Sequence, residues 1–102
     1  MIIHHVFFWL KDPNSPDDLA RLVTGVRSLA GIEPVRSLYV GTPADTERRD
    51  AIDASYSVSE LLFFDDLAGQ RAYQEHPLHR RFVEQCAPLW KRCIVYDCVA
   101  SP

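Results

Sequence analysis

The segment YQEHPLHRRF at residues 73–82 places a tyrosine three residues before a His-Pro pair and a second histidine three residues beyond the first. An imidazole exchanges a proton near neutral pH, and a phenol hydroxyl can donate to an oxygen that gains charge during a reaction. Tyr73 and His79 thus have the chemistry of a minimal acid–base pair. A neutral His79 takes a proton from an activated carbon or hydroxyl, and Tyr73 supports the enolate oxygen that results. Each also has a structural alternative: His79 bonded to a backbone carbonyl, and Tyr73 packed in the core with its hydroxyl at the surface. His76 is of another kind. Proline disfavours helical backbone in the residue before it and suits the first position of a new helix, so His76 is expected at a joint between two helices, outside the catalytic set. A metal shared by His76 and His79 is not expected, because a helix break does not hold their spacing and no further ligand stands nearby.

Two further titratable residues fall within apolar stretches. IIHHVFFWL, Ile2 to Leu10, is rich in β-branched and aromatic residues and reads as a strand. Its even face carries His4, Val6 and Phe8, and its odd face carries Ile3, His5, Phe7 and Trp9. Both faces are apolar, so both are expected to be covered. A second strand at 35–41 and a third at 56–64 follow, with Glu60 on the same face as Val58 and Leu62. A carboxyl in that setting has its pKa raised by desolvation or needs a cation, for which Arg36 and His4 are candidates, and it is a second possible base.

The positioning elements can be read around these residues. Ser15-Pro16-Asp17-Asp18 has a hydroxyl cap, a proline at the first helical position and acids in the first turn. Leu19, Leu22, Val23, Val26, Leu29 and Ala30 then keep helical spacing up to Gly31. Residues 42–53 are polar, without an apolar period, and read as a mobile loop or lid. Asp65-Asp66 starts a helix that runs to Glu75. Pro77 starts another, containing Leu78, Phe82 and Val83, and Pro88 bends or ends it. A last strand spans 93–99. The order β-α-β-β-α-β predicts an α+β, ferredoxin-like sandwich of one domain over residues 1–102. Helices can cover only one face of such a sheet. Ile3, Phe7, Trp9, Leu61 and Phe63 on the other face predict a homodimer formed through it.

Composition narrows the function. The chain has 102 residues, 47% hydrophobic and 25% charged, with a net charge of −3 and a pI near 5.7, which suits one folded domain and gives no attraction to nucleic acid. No apolar run is long enough to cross a bilayer, and no signal-peptide pattern opens the chain. Cys86, Cys93 and Cys98 lack paired-ligand spacing, so the expected setting is the reducing cytoplasm. No cofactor is expected: neither a haem-ligand pattern nor a phosphate-binding glycine loop is visible.

IIHHVFFWLK, YSVSELLFFDD, AYQEHPLHRRF and LWKRCIVYDCV together resemble the stress-responsive A/B barrel (Dabb) family across nearly the whole chain. The resemblance implies a dimeric α/β barrel. It also implies a pocket between helices and sheet, and most members of the family have no assigned activity. By similarity to a plant polyketide cyclase of that family, Tyr73 and His79 would be catalytic and His4 would line the pocket. Val58 stands where that cyclase has a pocket histidine, and Arg81 and Val83 replace two of its glycines. The expected substrate-binding set is His4, Val6, Phe8, Arg36, Val58, Glu60, Phe82 and Trp90. Two functions are open: a dimer that binds a small apolar or carbonyl ligand, with undefined activity, or a cofactor-free cyclase or isomerase acting on a carbonyl compound through His79 and Tyr73.

Overall fold

The computed structural model describes residues Met1–Pro102. The elements are β1 (Ile2–Leu10), α1 (Pro16–Ser28), β2 (Ser37–Gly41), β3 (Val58–Phe64), α2 (Leu67–Glu75), α3 (Pro77–Cys86) and β4 (Trp90–Val99), with short 3₁₀ turns at Leu29–Gly31 and Ala87–Leu89. The strands form one antiparallel sheet in the order β2-β3-β1-β4. This is the expected ferredoxin-like arrangement. No helix is long and apolar enough to cross a membrane.

Local chemistry sets the helix ends. Ser15 Oγ accepts from the Asp18 amide at 3.2 Å, and Asp66 Oδ1 accepts from the Gly69 amide at 2.8 Å, each satisfying an amide that the first turn leaves unpaired. His76 does what its place before proline predicts. It is extended (φ −67°, ψ 140°), ends α2 and caps α3, with Nδ1 accepting from the Leu78 amide at 3.0 Å. Boundaries differ from expectation at three strands. β2 and β3 each begin two residues later than 35 and 56, and β4 begins three residues earlier than 93. The 3₁₀ turn containing Pro88 releases the chain directly into extended backbone at Trp90, which pairs with Leu10 across a bulge.

Burial alternates residue by residue along β1 and β3. The helix-side face carries the core: Ile2, Val6, Phe8, Leu10, Val58, Leu62 and Phe64 pack against Leu22, Val26, Leu29, Tyr73, Phe82 and Cys86. On the other face Ile3, His5, Phe7, Trp9, Leu61 and Phe63 are only half-buried, while Tyr39 and Tyr96 are 63% and 65% exposed. Here the aromatics pack on one another, Phe7 lying 5.0 Å from Tyr56 and 6.1 Å from Tyr96 between ring centroids. The segment after residue 53 is tied to this side by Trp9 Nε1 donating to Ser55 Oγ at 3.0 Å and by the Ser57 amide donating to Phe8 O at 2.7 Å.

α1 and α3 approach closely at Gly25. A Cβ there would lie 2.5 Å from Cys86 Sγ and 3.2 Å from Phe82 Cδ1. In an open helix Gly→Ala gains about 1 kcal/mol, but overpacking costs about 1–3 kcal/mol. Gly25→Ala is therefore expected to lose about 1 kcal/mol in urea unfolding, and the same change in a Cys86→Ala background to gain stability; a gain in the wild-type background would contradict the close crossing.

Candidate functional site

A cavity of about 190 Å³ lies between the sheet and the helices α2 and α3. Strand pairing builds its floor. Glu60, Val6 and Val95 form one cross-strand row, with Phe8 and Cys93 in the row on one side and His4 and Asp97 in the row on the other. The roof comes from Tyr73 and Gln74 on α2 and from His79, Phe82 and Val83 on α3, with Trp90 closing one end.

Two polar pairs are built into it. Glu60, 2% exposed, accepts a hydrogen bond at Oε1 from the Tyr73 hydroxyl at 2.8 Å. Desolvation raises the carboxyl pKa from 4.5 to about 7, and the tyrosine hydrogen bond opposes that only partly. Burial pushes the Tyr73 hydroxyl up from its ordinary value, and the Glu60 charge and hydrogen bond push it the same way, so Tyr73 is a donor and not a source of phenolate. Because the folded carboxyl holds its proton more tightly than the unfolded one, Glu60 ionisation removes stability as pH rises from about 4.5 through 7. At alkaline pH the cost is about 3 kcal/mol.

The second pair is His4 and Asp97. His4 is buried, and its Nδ1–H donates to Asp97 Oδ1 at 2.5 Å. Gln70 Nε2 donates to the same carboxylate oxygen at 3.2 Å and lies 3.2 Å from His4 Nδ1. A carboxylate on Nδ1–H fixes the tautomer, leaving Nε2 as the acceptor. His79 completes the set. Its ring centroid is 4.8 Å from that of Tyr73 at 67°, and desolvation, followed by the nearby His4, lowers its pKa below 6.5. His79 is thus held neutral near physiological pH, the form a general base requires.

Of the residues expected from sequence, His4, Val6, Phe8, Glu60, Tyr73, His79, Phe82 and Trp90 all line this cavity. Arg36 and Val58 do not. Arg36 is at the surface, its guanidinium gripping Asp65 Oδ2 at 2.9 Å from Nε and 2.7 Å from Nη2, so it gives Glu60 no counter-charge. Val58 is fully buried core beside Glu60 on β3 and has no surface on the cavity. None of residues 42–53 lines the cavity. Sequence reading missed Asp97 and Gln70, which orient His4, and Gln74, Val83, Cys93 and Val95 on the walls. An acid in the middle of the apolar last strand was the available signal for Asp97.

Comparison with known proteins places this chain in a family. The chain is similar in structure to a protein of Arabidopsis thaliana, with a TM-score of 0.83 at 20% identity, covering 100% of this chain and 97% of that one. It is also similar to a dimeric ferredoxin-like protein of unknown function from Thermobifida fusca, with a TM-score of 0.78 at 24% identity, covering 97% and 90% of the two chains. A third neighbour is a hydroxynitrile lyase from Passiflora edulis, with a TM-score of 0.80 at 16% identity over 98% and 93%. No match was found among curated proteins. The family model for the stress responsive A/B barrel domain matches residues 2–100, and the chain belongs to that family.

Proposed function

We propose that this chain works as a homodimer that binds a small, largely apolar carbonyl compound in the helix-side cavity and moves a proton on it with its own side chains. The observation that carries the reading is the convergence of His4, Glu60, Tyr73 and His79 on one cavity of about 190 Å³. His79, kept neutral by burial, removes a proton from the carbon beside the carbonyl. The enolate oxygen takes a hydrogen bond from the Tyr73 hydroxyl. Phe8, Phe82 and Trp90, with ring centroids 4.8–6.1 Å apart, offer an apolar surface to the rest of the ligand. The hydroxynitrile lyase among the structural neighbours is consistent with lyase chemistry on this fold. A second reading, binding without turnover, is favoured by one contact: the Tyr73 hydroxyl already donates to Glu60.

Solvent deuterium exchange separates the two. Small aryl ketones are incubated with the protein in D₂O, and loss of the α-proton signal is followed by NMR. Protein-dependent exchange should fall by about 10²-fold or more in His79→Ala. On acidification the rate should fall with a midpoint below 6.5, because burial lowers the His79 pKa from that value. Exchange that is equal in wild type and His79→Ala contradicts the catalytic role; ketone binding without exchange supports the second reading.

The dimer rests on the half-buried apolar sheet face and on dimeric neighbours such as the Thermobifida fusca protein. Light scattering at micromolar concentration should give twice the 11.7 kDa chain mass. Phe7→Lys, which places a charge in that face, should give monomer. A monomeric wild type would contradict the assembly.

A further inference from the structure

One atom of the site has no role in that scheme. Glu60 is bonded only through Oε1, and no sealed side-chain nitrogen or oxygen in the molecule lacks a partner. Oε2 is unbonded and therefore touches the cavity. The twelve lining residues include no lysine or arginine. The titratable groups that share the cavity with Glu60 are Tyr73 from α2, His79 from α3, His4 from β1 and Cys93 from β4, with Asp97 of β4 bonded to His4. None supplies a fixed positive charge. His79 is held neutral, His4 offers Nε2 as an acceptor, and the Cys93 thiol is pushed up by desolvation and by Glu60 itself.

We propose that Glu60 Oε2 anchors a protonated amine, so that the cavity takes a small alkyl- or arylalkyl-ammonium compound with its apolar part against Phe8, Phe82 and Trp90. A desolvated carboxylate without a counter-ion is the most costly group in the cavity, and a ligand ammonium removes that cost where a neutral ligand does not. Aromatic faces around the same space add attraction for a cation. At about 190 Å³ the cavity is below the roughly 300 Å³ at which drug-sized sites begin, which suits an amine of one ring or a short chain. The inference rests only on the cavity being a binding site and goes beyond the carbonyl reading by naming a second functional group on the ligand. Because binding requires the ionised carboxylate, affinity rises as pH climbs through about 7 and falls again when the amine loses its proton near ~10.

Calorimetry on the full chain with phenethylamine and its neutral isostere 2-phenylethanol tests this. Wild type should bind the amine at least tenfold more tightly at pH 8. At pH 6.5, in buffers of differing ionisation heat, amine binding should release protons as Glu60 ionises, and alcohol binding should release none. Glu60→Gln should bind both compounds equally. The proton-release measurement needs no variant, so it decides the matter even if Glu60→Gln does not fold. Equal affinities in wild type, absence of proton release, no amine binding, or an amine preference retained in Glu60→Gln would each overturn the proposal. His79→Ala should keep the amine preference while losing deuterium exchange, which separates this inference from the catalytic reading.

Discussion

Glu60 is a carboxyl group in the middle of a sheet, roofed by helices, with the Tyr73 hydroxyl 2.8 Å from one of its oxygens and no cation beside it. The contact restrains both partners. It points the Tyr73 ring so that its edge and face meet His79, His4 and Phe64, and it leaves the second carboxyl oxygen at the cavity wall. A leucine at position 60 would remove the desolvation cost, and it would also leave the buried tyrosine hydroxyl without a partner, which costs about 1–3 kcal/mol. The pair therefore holds stability and polarity in opposition: folding favours the protonated acid, whereas a positively charged ligand favours the ionised one.

β1 explains how so few residues produce both a cavity and an interface candidate. As an inner strand it presents His4, Val6 and Phe8 to the helices, and His5, Phe7 and Trp9 to the opposite side. Both sides are needed because the period of a strand is two. β4, at the edge, is largely exposed, and its Asp97 reaches over the cavity margin to hold His4. The break at His76-Pro77 turns α3 so that His79 and Phe82 complete the roof begun by Tyr73. The YQEHPLHRRF segment thus contains a joint and two groups that the joint aims.

Much of this was legible in the sequence where the physics is local. Alternation along Ile2–Leu10 assigned His4 to the cavity side, proline placed His76 at the break, and an acid on the same strand face as Val58 and Leu62 marked Glu60 as a carboxyl under desolvation. What was lost depends on distant pairing. Asp97 and Gln70 meet His4 across sequence separations of 93 and 66 residues, which no local pattern encodes. Arg36 was misread because charge alone makes it a partner for Glu60; a closer and solvated Asp65 takes it instead. Val58 shares the face of Glu60, but parity does not tell which positions on a face lie under a void and which are packed solid.

The central claim is that Glu60 is a buried, uncompensated acid held by Tyr73, and its own titration tests that most directly. Carbon-13 NMR of glutamate labelled at the side-chain carboxyl, with Glu60→Gln identifying the resonance, should give a midpoint of about 7 for Glu60, rising further in Tyr73→Phe because the hydroxyl's hydrogen bond favours the ionised form. A midpoint near the ordinary 4.5, or one that Tyr73→Phe leaves unchanged, would contradict the account.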